Sequence, residues 1–97
     1  MDAIRSAGLD RAKKVAVMLR KKYGAKKIFL FGSLVRDGYL DERTDIDILV
    51  DGINTDDVLR AGFDAWIVAE PFDVDLIPVR KARKSLLKVA RKEGVEL

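Results

Sequence analysis

The sequence predicts a small α/β (α+β) fold in which helices pack against a mixed β-sheet. Three observations predict it. Segments with helical periodicity alternate with short strand-like runs, in the order helix, strand, short helix, strand, helix, strand, helix. Two of the strand-like runs, Thr44 to Val50 and Phe72 to Ile77, show the period-two alternation of a sheet with differently occupied faces. The connection between the first two strands is short and mostly loop, which does not suit a right-handed parallel crossover and therefore predicts mixed strand directions.

The first helix rests on Leu9, Ala12, Ala16, Leu19 and Tyr23, which recur at helical spacing, and Gly24 is placed to end it. Its start is not defined by the pattern, because Gly8 is a weak helix former. Ile28-Phe29-Leu30-Phe31 is a continuous apolar run that predicts a strand buried on both faces, closed by Gly32-Ser33. Leu34 to Arg36 predicts a short helical turn, and Asp37-Gly38 a loop. In the second strand Ile46, Ile48 and Val50 point one way, and Asp45, Asp47 and Leu49 the other, before the Asp51-Gly52 turn signal. Asn54 or Thr55 caps the next helix, with Asp56 and Asp57 complementing its dipole. Leu59, Phe63, Trp66 and Ile67 are its expected core stripe, and Pro71 its stop. The third strand sets Phe72, Val74 and Leu76 against Asp73, Asp75 and Ile77. After Pro78 a basic helix is expected to turn Ala82, Leu86, Val89 and Ala90 inward, with Gly94 at its end.

Ninety-seven residues are expected to form one domain, residues 1–97, with no repeat, linker or low-complexity segment. Hydrophobic residues make up 48% and charged residues 36%, a balance that suits a globular chain rather than a disordered one. The chain has no cysteine and no histidine. That excludes disulfides, thiolate and imidazole metal sites, and catalysis by a histidine base; any metal must be hard and oxygen-liganded. No apolar run reaches membrane-spanning length and the N-terminal segment lacks the apolar centre of a signal peptide, so the expected location is the cytoplasm. Basic residues gather towards both ends and acids in the middle, within a net charge of +3. Solvated helix faces account for such flanks, and so does affinity for polyanions.

Aspartate is a poor strand former, so Asp45 and Asp47 in one strand call for an explanation. At i and i+2 they share a face, about 6.5–7 Å apart along the chain. On a solvated edge this is ordinary; in an enclosed site the two carboxylates repel and one tends to take a proton. A divalent cation removes the conflict, and two ions about 3.5–4 Å apart clamp the attacking and leaving oxygens of a phosphoryl transfer. Such chemistry generally calls for a third carboxylate, and the third strand offers Asp73 and Asp75 on one face. A Gly-Ser pair after a strand can be a plain tight turn. It also permits close backbone approach and holds phosphate oxygens through a hydroxyl and an N–H.

Together, Gly32-Ser33, the gap that follows, Asp45-x-Asp47 and the later strand aspartate resemble the signature of the DNA polymerase β-like nucleotidyltransferase superfamily. "FGSLVRDG", "TDIDILV" and "FDVDLIPV" look most like its smallest branch, the minimal nucleotidyltransferases, and the likeness extends over nearly the whole chain, to "RKEGVEL". The resemblance implies a nucleotidyltransferase fold. It implies that Gly32 and Ser33 bind nucleotide phosphates, that Asp45, Asp47 and Asp75 are catalytic and hold two Mg2+ ions, and that Arg36 meets phosphate. It implies ATP as substrate, AMP as the transferred group, and an antitoxin whose partner is a HEPN-domain toxin carrying the acceptor hydroxyl. Three departures stand out: eleven residues separate Ser33 from Asp45, one more than is common; Asp37 follows Arg36 where glycine is frequent; and Thr44 replaces the usual serine. Two other readings remain beside this one: an antitoxin that acts by binding alone, and a nucleic-acid-binding module using the basic helices. An aromatic content of 7% leaves the second little for base stacking.

Overall fold

The computed structural model describes residues 2–41 and 43–97. Helix α1 spans Ala3–Tyr23. It starts earlier than the periodicity indicates because Asp2 caps it, its carboxylate accepting from the Ile4 N–H at 2.9 Å. Gly24 ends it in the left-handed conformation, φ 70°. Gly8 lies inside the helix for a packing reason: a Cβ there would come within 2.7 Å of Leu34.

Strand β1, Lys27–Phe31, runs antiparallel to β2, Ile46–Asp51, and β2 runs parallel to β3, Val74–Pro78. The sheet is mixed, as the short first connection requires. A fourth strand, β4, Val95–Glu96, pairs antiparallel with the other side of β1, giving the order β3-β2-β1-β4. Two paired residues are too few to leave a periodicity, so the sequence does not announce β4.

Helix α2, Val58–Ala69, follows a single helical turn whose cap is Asn54. Here the expected packing is reversed. Leu59, Phe63, Trp66 and Ile67 face outward, and the fully buried positions are Ala61, Ala65 and Ala69. The inner face lies close against α1 and β3, where small side chains allow the approach. Helix α3, Lys84–Glu93, begins after a turn at Val79–Lys81. Ala90 is buried and Leu86 and Leu87 pack inward, whereas Val89 is exposed and Ala82 precedes the helix.

The sheet therefore separates two layers. On one face α1 and α2 enclose the main core around Leu19, Ile28, Leu30, Ile46, Ile48 and Val50. On the other, α3 covers a smaller cluster of Phe31, Leu49 and Ala90 and leaves part of the sheet open. Among the described residues no helix is long and apolar enough to cross a membrane.

Candidate active site

The open part of the α3 face is a cleft of about 520 Å³. Phe31, Gly32, Ser33 and Arg36 line it from the end of β1 and the turn beyond, Asp47 and Asp75 from β2 and β3, and Ser85, Leu86 and Val89 from α3. A smaller hollow of about 190 Å³ near Lys27 and Arg91 lies on the same face, and its one carboxylate is Asp51.

Sheet register puts the two cleft carboxylates together. Asp47 is aligned with Phe31 on β1 and with Asp75 on β3. Alternation does the rest: Ile46, Ile48 and Val50 enter the main core, so Asp47 emerges on the opposite face, half-buried. Burial pushes the Asp47 carboxyl up to about 6; the Asp75 and then the Asp45 charge add to this, and Arg36 opposes it.

Gly32 adopts φ 84°, ψ −154°, a conformation open to glycine, and a Cβ at this position would collide with the Asp47 carboxylate. The glycine thus lets the turn after β1 approach the carboxylate. Ser33 opens a single helical turn, Ser33–Val35, at the cleft wall.

Asp45 stands apart from the expected arrangement. The predicted strand starts at Thr44, but the observed one starts at Ile46, and Asp45 is exposed just before it. The cause is the turn upstream, where the Asp41 N–H donates to the Thr44 hydroxyl at 3.1 Å and the Thr44 N–H to the Asp41 carbonyl at 3.0 Å. Asp45 influences Asp47 through charge without lining the cleft. Asp73 is not in the cleft; it borders a hollow beside Trp66, while its carbonyl accepts from the Ile46 N–H at 2.9 Å.

A family model described as a nucleotidyltransferase domain matches residues 12–97. The chain belongs to that family. Solved structures share its fold. A chain of a toxin–antitoxin crystal structure with AMP-PNP aligns with a TM-score of 0.72 and 25% identity, covering 88% of this chain and 70% of that one. A chain of a complex of tri-AMPylated Shewanella oneidensis HEPN toxin with MNT antitoxin aligns with a TM-score of 0.68 and 24% identity, covering 92% and 70%. A chain of an MntA–HepT toxin–antitoxin structure aligns with a TM-score of 0.67 and 23% identity, covering 91% and 69%. No curated protein matches the sequence.

This nucleotidyltransferase domain holds its cleft with side chains that no motif points to. The Arg5 guanidinium, on α1, donates to the Leu34 carbonyl at 3.3 Å, the Arg36 carbonyl at 2.6 Å and the Gly38 carbonyl at 3.5 Å. One fork thus ties down the backbone of the turn that carries Ser33 and Arg36. Glu93, on α3, accepts from Arg36 Nε and Nη2, both at 2.8 Å, and fixes the direction of that side chain. Arg5 and Glu93 lie 31 residues before and 57 residues after Arg36, so only the fold brings them to it.

The donor chemistry suits a hard divalent cation. It consists of oxygen alone, and the burial and neighbouring carboxylate charge that raise the proton affinity of Asp47 are penalties that such an ion offsets. Among the described residues no three acidic groups converge closely enough to hold an ion by themselves. Magnesium sites built from one or two carboxylates, water and substrate phosphates need no such cage.

Proposed function

We propose that the chain is a metal-dependent nucleotidyltransferase that moves AMP from ATP to a hydroxyl of a HEPN-domain toxin, and so acts in the cytoplasm as that toxin's antitoxin. The observation that carries this reading is the meeting of Gly32-Ser33, Arg36, Asp47 and Asp75 in one cleft of a nucleotidyltransferase domain. Fold neighbours in toxin–antitoxin complexes, one with AMP-PNP and one with a tri-AMPylated toxin, support the nucleotide and the partner.

In this reading the acceptor hydroxyl oxygen attacks the α-phosphorus of ATP and gives its proton to solvent, the bond from that phosphorus to the bridging oxygen breaks, and pyrophosphate leaves with its electron pair. Ser33 and the backbone beside Gly32 receive phosphate oxygens, and the glycine's missing side chain brings them against Asp47. Arg36, aimed by Glu93, offsets charge on the polyphosphate. Asp47 and Asp75 would hold Mg2+, with Asp45 adding negative charge from just before β2; the metal would supply Lewis-acid activation of phosphate and acceptor oxygens. Phe31, Ile77, Leu86 and Val89 give the cleft an apolar wall beside its acidic floor.

The test is co-expression with the HEPN-domain partner and measurement of that partner's intact mass. The reading predicts a gain of one or more AMP units, dependent on ATP and Mg2+. A tight complex with unchanged mass would replace it with antitoxin action by binding alone.

A further inference from the structure

The largest apolar feature outside the cleft is the outward face of α2. Leu59 is 88% exposed, Phe63 57%, Trp66 53% and Ile67 53%. With full side-chain areas of about 150–250 Å², these four leave roughly 500 Å² of contiguous surface in water. Their spacing, i, i+4, i+7 and i+8, makes one stripe along the helix. We infer that this stripe is a homodimer interface, in which two copies pack α2 against α2, antiparallel, about a two-fold axis near residue 65.

Four features select a second copy as the occupant. The first is shape. At the C-terminal end of α2 a hollow of about 320 Å³ is lined by Trp66, Ile67, Glu70, Pro71, Phe72 and Asp73. An antiparallel two-fold near residue 65 carries Leu59, the most exposed residue of the stripe, past Ala69 at the end of the other copy's helix and so towards the hollow. The same operation sets Phe63 against Ile67, and repeats each contact twice, as an isologous interface requires.

Charge is the second. The two-fold places Arg60 of each copy opposite Glu70 of the other. Both are exposed, and neither forms an ion pair among the described residues. Asp64, the nearer acid, is engaged by Lys22 at 2.7 Å and by the Tyr23 hydroxyl.

The third is Gly62. It lies within the helix beside Leu59, Phe63 and Trp66, with nothing within 4 Å of the place where its Cβ would be. The fold of one chain gives no reason for glycine there, although glycine disfavours helix. A second helix approaching closely at that point does.

The fourth is position. α2 packs on the core face of the sheet, and the cleft opens on the α3 face. A macromolecule held on the stripe lies across the sheet from the cleft, whereas two copies joined through α2 keep both clefts open. The area is sufficient: two stripes bury roughly 1,000 Å² together, the lower bound for a specific interface, before flanking polar residues are counted.

Sedimentation equilibrium of the isolated protein at micromolar concentrations, without nucleotide or partner, tests this independently of the proposed chemistry. Wild type is expected to be a dimer. Leu59→Asp, at a site too exposed to affect folding, is expected to be a monomer with an unchanged circular dichroism spectrum. Arg60→Glu and Glu70→Arg are each expected to weaken association about tenfold, and the double charge exchange to restore it. A monomeric wild type, a dimer indifferent to Leu59→Asp, or a charge exchange that fails to restore association would overturn the proposal. So would a wild type that stays monomeric and uses the stripe to bind its toxin.

Discussion

The two faces of the sheet are built from alternate residues of the same strands, yet they answer to different demands. The face towards α1 and α2 is dry and filled: Ile46, Ile48 and Val50 of β2 interlock with Ile28 and Leu30 of β1 and with α1. The face towards α3 holds a small apolar cluster at one end and the carboxylate cleft at the other. Asp47 sits between Ile46 and Ile48, both completely buried. The core face thus fixes the backbone of β2, and that fixed backbone presents a destabilising carboxylate on the other side. One face supplies the free energy that the other spends.

The largest separation between faces is expected in activity. Asp75→Asn should lower AMP transfer by roughly 100-fold or more, through loss of charge next to Asp47. Asp73→Asn, on the same strand but outside the cleft, should stay within a few-fold in the same labelled-ATP assay. If Asp73→Asn were the more damaging, the strand would be read in the wrong register.

On the core face the corresponding change is Ile48→Ala. Removing a fully buried side chain should cost about 2–5 kcal/mol in urea unfolding, because the cavity only partly closes. Retained stability would mean that this face is not the foundation of the site.

Arg5→Ala connects the two faces, since α1 packs in the core and its arginine grips the cleft turn. Losing the fork should weaken nucleotide binding by about tenfold, about 1.4 kcal/mol, in calorimetry. Arg5→Lys should recover little, because one ammonium cannot span the three carbonyls. Unchanged affinity in Arg5→Ala would show that the turn holds itself.

Smallest of all is the pH dependence of stability without metal. The folded-state pKa of Asp47, about 6, lies above its ordinary value of 3.8, so between these values the folded protein binds the proton more tightly than the unfolded chain. The contribution of this group is therefore most favourable at acid pH and declines as pH rises through about 6. Half-exposure limits the effect to roughly 1 kcal/mol. Unfolding of wild type and Asp47→Asn across pH 4 to 7.5 isolates it; parallel profiles would exclude it.

The same contrast explains what the sequence reveals. Mixed direction follows from the short first connection, and the inward residues of β2 and β3 from period-two alternation, which survives wherever one face is filled. α2 misleads because hydrophobicity weights its large residues, whereas its packed side needs alanines at 61, 65 and 69 to lie close to α1 and β3. β4 has two residues, too few for any period. At the candidate site, paired aspartates in a strand and a Gly-Ser turn draw notice to Asp47, Asp75, Gly32 and Ser33, Arg36 enters through the family resemblance, and all five line one cleft. Asp45 falls outside β2 because the Asp41 N–H donates to the Thr44 hydroxyl and shapes the turn, which alternation does not register. Arg5 and Glu93 are invisible for another reason: each looks like one more charge on a helix until the fold brings it to the turn.

One variant tests the whole account. Asp47→Asn keeps shape and removes charge at the point where the core strand meets the cleft. AMP transfer to the partner, and urea unfolding at pH 7.5 without metal, should be measured on the same preparation. The account predicts opposite signs: transfer lost, and stability unchanged or raised by roughly 1 kcal/mol through relief of buried repulsion. An Asp47→Asn protein that transfers AMP at the wild-type rate, or one that unfolds more easily than wild type, would contradict it.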